Sequence, residues 1–196
     1  MKKLLPIALL IAASFGAQAA EFPDGKPVTI VVPFAAGGPT DRVARDLAEA
    51  MSRQLGGTPI VIDNAAGAGS TIGNAKVARA KNDGHTLSVT HVGMATTPVL
   101  YRKLSYNYET DFEYLGMIND VPMTLIGKPQ IEAKNLAELR DWIAKNPGKV
   151  NLGNAGVGSA SHLCGLLFQS ELKADMTTVP YKGTAPAIAD LLGGQI

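Results

Sequence analysis

The stretch VTIVVPFAAGGPTD, residues Val28–Asp41, decides the fold. Val28–Phe34 is apolar and rich in β-branched residues, which is typical of a strand covered on both faces in a parallel sheet. A Gly-Gly-Pro turn at residues 37–39 follows, and Thr40 or a neighbour caps the next helix. The N–H groups of a first helical turn have no intrahelical partner and lie at the positive end of the helix dipole. The stretch therefore predicts half of a binding site for a small organic anion.

The same strand, turn and helix order continues along the chain. Pro59–Asp63 is predicted as a second strand and Thr86–Thr90 as a third, with helices between them. Because a strand–helix–strand unit implies parallel pairing with a right-handed crossover, the fold class is α/β. Phe112–Ile118 and Val121–Gly127 are predicted as two extended segments where the chain passes from one lobe to another. We expect a first lobe at residues 20–118 and a second at residues 119–196.

The second lobe repeats the anion-binding pattern. Lys149–Asn154 is predicted as a strand, and Gly156–Leu163 (GVGSASHL) turns into a helix whose leucines, including Leu166 and Leu167, point inward. A last strand, Met176–Pro180, precedes another helix. Two glycine turns that face each other would form a clamp for an anion. His91–Thr97 follows the third strand at its carboxyl end. Open parallel sheets bind ligands outside these strand ends, so this segment is a third candidate wall of the ligand site.

Several candidate residues have two interpretations. Asp41 either stabilises the dipole of its own helix or accepts a hydrogen bond from a ligand. Ser159 is predicted to cap its helix, and Ser161 to offer a hydroxyl and an N–H to a ligand. A serine hydrolase using Ser159 or Ser161 is the enzymatic alternative, but neither serine has the G-x-S-x-G environment, and adjacent Ser and His162 do not form a base–nucleophile pair.

Charge, histidine and glycine patterns argue against nucleic-acid, metal and dinucleotide binding. The formal net charge is +1 with no basic stripe, so nucleic-acid binding is not expected. Three scattered histidines predict no metal site, and no cofactor is expected. Residues 67–73 resemble a dinucleotide loop, but Ile72 stands at the third glycine position, so these glycines are interpreted as a close approach of two backbones. Cys164 is the only cysteine and is predicted to be a buried apolar thiol.

Met1–Ala19 has the pattern of an export signal. Two lysines precede an apolar run at residues 4–15, and Ala-Gln-Ala at residues 17–19 is a cleavage site for signal peptidase. The apolar run is too short to span a bilayer of about 30 Å. The sequence therefore predicts a mature protein outside the cytoplasm.

Six motifs in order resemble one family. They are PFAAGGPTDRVAR (Pro33–Arg45), GAGSTIG (Gly67–Gly73), P-x-LY-x-KL-x-Y (Pro98–Tyr106), DF (Asp111-Phe112), GSASHL (Gly158–Leu163) and VPYKGTAPA (Val179–Ala187). The chain resembles the extracytoplasmic solute receptors of tripartite tricarboxylate transporters, the Bug family. The resemblance implies a two-lobed periplasmic-binding-protein fold of type II that closes on a small carboxylate, a membrane permease as partner, a periplasmic location, a monomer and no enzymatic activity.

The resemblance also implies a set of ligand-binding residues from both lobes. Matched by motif, they are Phe34, Ala35, Gly37, Thr40, Asp41, His91, Ser159, Ser161, His162, Tyr181, Gly183 and Thr184. Members of the family run to roughly three hundred residues, so a C-terminally truncated chain is expected, with an incomplete second lobe and no return to the first. Exposed apolar surface and poor autonomous folding follow from that expectation, and a fragment without ligand function is a further alternative.

Overall fold

The structure, a computed structural model, describes residues 22–196, so the predicted export signal lies outside the described residues. Strands and helices alternate along most of this range, as the sequence predicts. The strands are β1 (Val28–Val32), β2 (Ile60–Asn64), β3 (Thr86–Ser88), β4 (Asn151–Asn154) and β5 (Thr177–Pro180). The α-helices are α1 (Pro39–Gln54), α2 (Thr71–Ala78), α3 (Gly93–Leu100), α4 (Leu136–Lys145), α5 (Ala160–Leu172) and α6 (Thr184–Leu192).

The first sheet has the strand order β2–β1–β3, and all three strands are parallel. The central strand β1 is the most deeply buried, because Ile30 and Val32 are fully inaccessible to solvent. They pack with Phe34, Ala44 and Ala48, which brings one face of α1 onto the sheet. This core fixes the position at which the chain leaves β1 and enters α1. The predicted anion-binding turn therefore lies at the carboxyl edge of the first sheet.

The glycine-rich segment at residues 64–73, which ends in the first turn of α2, contains a close approach of two backbones, as predicted. If Gly73 were replaced by a residue with a side chain, the new Cβ would lie 2.8 Å from the Cα of Pro33 and 2.9 Å from the carbonyl oxygen of Ala65. Any larger residue would therefore push α2 away from the end of β1.

The second sheet is smaller. β4 and β5 pair in parallel, with Asn151 opposite Thr177 and Asn154 opposite Pro180. The three helices of this part of the chain leave much apolar surface open, and the inward packing expected for α5 is wrong for two leucines. Leu166 and Leu167 are 46% and 61% exposed. Cys164 on the same helix is also exposed, which contradicts the predicted buried thiol, because two strands are too narrow to cover the apolar side of α5.

Residues 101–135, which join the two sheets, lack regular structure. The predicted extended segments Phe112–Ile118 and Val121–Gly127 pair with no strand of the described residues, and residues 113–127 are all exposed. Leu115 and Met117 are 82% and 81% exposed. The expected exposed apolar surface is therefore present, and it is concentrated where the chain crosses between the sheets.

The region predicted as a loop after β3 contains a helix. α3 begins at Gly93 and ends at Leu100, with Pro98 inside it. Residues 93–97 have neither a strong apolar periodicity nor a side-chain cap, so the sequence carries little signal for a helix here. α3 therefore occupies the segment that the sequence predicts as a third wall of the site.

Candidate functional site

The first-lobe turn, residues 34–38, is stabilised by hydrogen bonds to the carboxylate of Asp41 in the first turn of α1. One carboxylate oxygen of Asp41 accepts hydrogen bonds from the Gly37 N–H at 2.8 Å and the Arg45 Nε–H at 2.9 Å. The other accepts from the Asn64 amide at 2.9 Å, and the same amide donates to the carbonyl of Phe34. Because Asp41 is only 3% exposed, these partners occupy its carboxylate within the protein. The contacts favour the structural interpretation of Asp41 over direct ligand contact.

The electrostatics of Asp41 agree with this role. Burial by itself raises the pKa of the Asp41 carboxyl, but hydrogen bonds from Arg45, the Gly37 N–H and Asn64 outweigh it. The net result is a pKa below the ordinary value for an aspartate. Asp41 is therefore ionised at neutral pH, and its charge lies inside the first turn of α1, where the helix dipole favours it.

The second-lobe turn, residues 155–159, uses its polar groups internally. The Ser159 hydroxyl accepts from the His162 N–H at 3.2 Å, which confirms the predicted cap of α5. The Ser161 hydroxyl accepts from the Ala155 N–H at 2.9 Å, and the His162 ring nitrogen Nδ1 accepts from the Gly158 N–H at 3.2 Å. These groups stabilise the turn, and the two serine hydroxyls lie 3.1 Å apart. In this arrangement the ring of His162 bonds to backbone and forms no hydrogen bond with either serine hydroxyl.

The turn that lies against the first-lobe turn is a different one, residues 181–183, here called the C-terminal turn. The Ala35 N–H donates to the Lys182 carbonyl at 2.9 Å. A Cβ on Gly183 would lie 3.0 Å from the Ala35 nitrogen, so the close contact requires glycine. The Tyr181 hydroxyl donates to Asp190 of α6 at 2.7 Å, which orients the turn on its own helix.

The N-termini of α1 and α6 consequently lie next to each other. A Cβ on Gly38 would lie 3.9 Å from the Thr184 nitrogen and 3.8 Å from the Ala185 nitrogen. Neither helix has a side-chain hydrogen bond at its N-cap, Gly38 or Gly183. Two positive helix ends that face each other at this range repel one another, although the ionised Asp41 in the first turn of α1, itself paired with Arg45, offsets charge at the α1 end. An anion between them would replace that repulsion with attraction to both ends, which makes this the electrostatically favoured position for one.

A second contact joins the lobes at the second-lobe turn. The Thr96 hydroxyl of α3 donates to the Gly158 carbonyl at 2.6 Å. The backbone at Gly69 runs so close to the Val157 carbonyl and the Tyr101 hydroxyl that a Cβ there would overlap both. The segment after β3, which contains α3, therefore contacts the second-lobe turn directly.

His91 lies at the first-lobe side of this segment. Its ring stacks on Phe34 with centroids 4.3 Å apart and planes 21° apart. Its Nδ1 accepts from the Gly93 N–H at 3.0 Å, so the ring proton is on Nε2. Burial lowers the pKa of His91 to about 4, and the ring is therefore uncharged at neutral pH.

The predicted site residues thus fall into three groups. Phe34, Ala35, Gly37, Thr40, Asp41 and His91 lie on or beside the first-lobe turn, whereas Tyr181, Gly183 and Thr184 belong to the C-terminal turn and the helix start opposite it. Ser159, Ser161 and His162 form the self-bonded turn that faces Gly69 and Thr96 instead. Sequence reasoning missed Asn64 and Arg45, which hold Asp41. Asn64 ends the strand next to β1, and its position at the same sheet edge is the signal that could have identified it.

Metal binding and membrane insertion can also be examined in the described residues. Residues 22–196 bring no group of three or more potential metal-ligating side chains together. In the same range, every helix is too short or too polar to cross a bilayer.

Comparisons with known proteins decide the family. Residues 43–196 match the family described as the tripartite tricarboxylate transporter family receptor. The chain belongs to this receptor family. A UPF0065 protein from the TAR-I ttuE-ttuC' intergenic region of Agrobacterium vitis is 45% identical over 193 residues, which are 97% of this chain and 56% of that protein. The chain therefore spans a little over half the length of this curated relative.

Solved receptor structures share the fold. The periplasmic binding protein BugD is similar with a TM-score of 0.83 and 50% sequence identity, over 87% of this chain and 57% of BugD. MatC from Rhodopseudomonas palustris, solved with bound malate, has a TM-score of 0.81 and 40% identity, over 89% of this chain and 59% of MatC. These likenesses confirm the predicted two-lobed periplasmic-binding-protein fold. Of these two neighbours, BugD is a periplasmic binding protein and MatC binds malate.

Proposed function

We propose that this receptor captures a small organic carboxylate in the periplasm and delivers it to the membrane permease of a tripartite transporter, acting as a monomer and without chemical turnover. The observation that carries the proposal is the pair of helix N-termini, α1 at Gly38 and α6 at Gly183, which face each other without a side-chain cap. Each end contributes about 0.3–2 kcal/mol to binding of an anion, depending on burial. The receptor family and the malate bound to MatC support the same ligand chemistry.

The inter-lobe contacts explain how binding would be coupled to closure. The Ala35–Lys182 and Thr96–Gly158 hydrogen bonds exist only when the lobes are together. A ligand that contacts both lobes adds its own free energy to this closed state and shifts the population towards it. A permease that recognises the closed form would then distinguish loaded receptor from empty receptor.

The hydrolase alternative gains no support from the site. A nucleophilic serine needs a histidine nitrogen within hydrogen-bond reach of its hydroxyl. Here the Ser159 hydroxyl caps α5, the Ser161 hydroxyl accepts from backbone, and the Nδ1 of His162 accepts from the Gly158 N–H. These groups are better explained as the framework of a turn.

Titration calorimetry with charged and uncharged ligands of the same shape tests the proposal. We expect malate, succinate or another small carboxylate to bind, and the diamide of the same acid to bind at least ten times more weakly, because it presents no negative charge to the helix ends. The panel should include citrate, acidic amino acids, nicotinate and neutral sugars. Absence of binding by every carboxylate, or equal binding of acid and diamide, would show the proposal to be wrong.

A further inference from the structure

A cavity of about 310 Å³ lies beside His91 on the first lobe. It is lined by His91, Met94, Ala95, Tyr108, Glu109 and Tyr114. His91 precedes α3, Met94 and Ala95 belong to it, and Tyr108, Glu109 and Tyr114 come from the irregular segment that follows it. The cavity is large enough for part of a small ligand rather than a single water.

The hydrogen-bonding groups of this cavity are mostly committed. The Tyr108 hydroxyl donates to Glu109 at 2.9 Å, and the Tyr114 hydroxyl donates to the Tyr108 carbonyl at 2.5 Å. The Nδ1 of His91 accepts from Gly93, whereas its Nε2–H has no partner among residues 22–196. Of the six residues that line the cavity, His91 therefore offers the one side-chain donor left for a ligand.

Glu109, on the same cavity wall, restricts which ligand group can bind to the Nε2–H of His91. Glu109 is exposed and presents a carboxylate, which accepts hydrogen bonds and repels a second anion. A ligand hydroxyl can accept from the His91 Nε2–H and donate to a carboxylate. A ligand carboxylate can only accept, and Glu109 on the same cavity wall would add a like charge to its surroundings. The stacking of His91 on Phe34 and its bond to Gly93 hold the Nε2–H in one direction.

We propose that His91 is a specificity-determining residue whose Nε2–H binds a hydroxyl oxygen of the ligand, so that the receptor prefers hydroxycarboxylates to the corresponding carboxylates without the hydroxyl. This inference rests on the proposed function, since the carboxylate itself is held between α1 and α6. The low pKa of His91 agrees with it, because an uncharged ring selects for a hydrogen-bonding group and not for a second negative charge.

Two ligand pairs that differ by one hydroxyl test the inference by calorimetry: malate against succinate, and lactate against propionate. The wild-type protein should prefer the hydroxylated member of each pair by about tenfold, the effect of one well-made hydrogen bond in a partly buried site. His91→Phe keeps the stacking on Phe34 but removes the donor, and should reduce the preference to less than twofold. His91→Gln keeps an N–H donor and should retain part of it.

His85→Phe is the matched control, because His85 lies just before the opposite end of β3 and contacts Pro23 instead of the cavity. It should leave the preference unchanged. Nitrogen NMR of the wild-type His91 ring gives a readout that does not depend on any variant: malate should shift the Nε2 resonance while Nδ1 remains unprotonated. If carboxylates bind but His91→Phe keeps the hydroxyl preference, or Nδ1 carries the proton, the inference is wrong and the proposed function stands. If no carboxylate binds, both are wrong.

Discussion

Replacing Asp41 with asparagine should loosen the first-lobe turn far more than its conservative chemistry suggests. In the wild type one carboxylate oxygen accepts from Gly37 and Arg45, and the other accepts from Asn64. An asparagine must point its NH₂ group at one of these two sets, so a donor would face a donor in either orientation. Asn64 cannot simply turn over to compensate, because its amide also donates to the carbonyl of Phe34.

The magnitude follows from these contacts. A partly buried donor left without an acceptor costs about 1–3 kcal/mol. The lost charge beside Arg45 adds little, because the Arg45 side chain is 51% exposed and the pair is screened by water. A loss of about 1–3 kcal/mol corresponds to a roughly 5- to 140-fold loss of protection. Hydrogen-exchange mass spectrometry of the peptides that cover residues 34–48 should measure it as faster exchange in Asp41→Asn.

The same helix supplies the control. Glu49 pairs with Arg53 at the same four-residue spacing, but both side chains are exposed, at 71% and 66%. Glu49→Gln should therefore change protection by less than about twofold. Equal effects of the two variants would refute the argument that the buried network, and not the ion pair, holds the turn.

The effect of Asp41→Asn should also depend on pH. Because folding lowers the pKa of Asp41, the stability it contributes is complete above its unfolded pKa of about 4 and is lost as the pH falls through the folded value. The difference between wild type and Asp41→Asn should therefore shrink at about pH 3 relative to pH 7. A difference that is the same at both pH values would contradict this account.

Three further predictions concern the lobe contacts and the exposed segment. Gly183→Ala should weaken carboxylate binding at least tenfold in calorimetry, because the new Cβ meets the backbone across the lobes and the residue has a φ of +137°; unchanged affinity would show that the turns need not touch. Thr96→Val should favour the open form by about 1 kcal/mol through loss of the bond to Gly158, seen as a larger radius of gyration in X-ray scattering without ligand. Replacing Leu115 and Met117 together with serine should reduce binding of the dye ANS and change unfolding free energy by less than about 1 kcal/mol, because both side chains are more than 80% exposed; a large destabilisation would mean that they pack in solution.

Local patterns in the sequence determined most of the architecture. The β-branched run at Val28–Val32 and the Gly-Gly-Pro turn after it set the central strand, the start of α1 and the positive helix end, because these depend on neighbours along the chain. The Ser159 cap and the backbone approach at Gly73 were also predictable, since residue type and spacing carry the signal. The motifs pointed to the receptor family, which the comparisons confirm.

Tertiary structure alone decided which helix ends meet. By sequence, Gly156–Leu163 was the natural partner of the first-lobe turn, but its serines and His162 satisfy their own turn, and Gly183 faces Ala35. The choice depends on how the second sheet lies against the first, and contacts between residues nearly 150 positions apart leave no local pattern. Burial follows the same rule: Cys164 and Leu167 have the composition of a buried helix face, yet a two-stranded sheet offers too little surface to cover them. Composition indicates which side chains would gain from burial, and only the assembled fold determines which of them are buried.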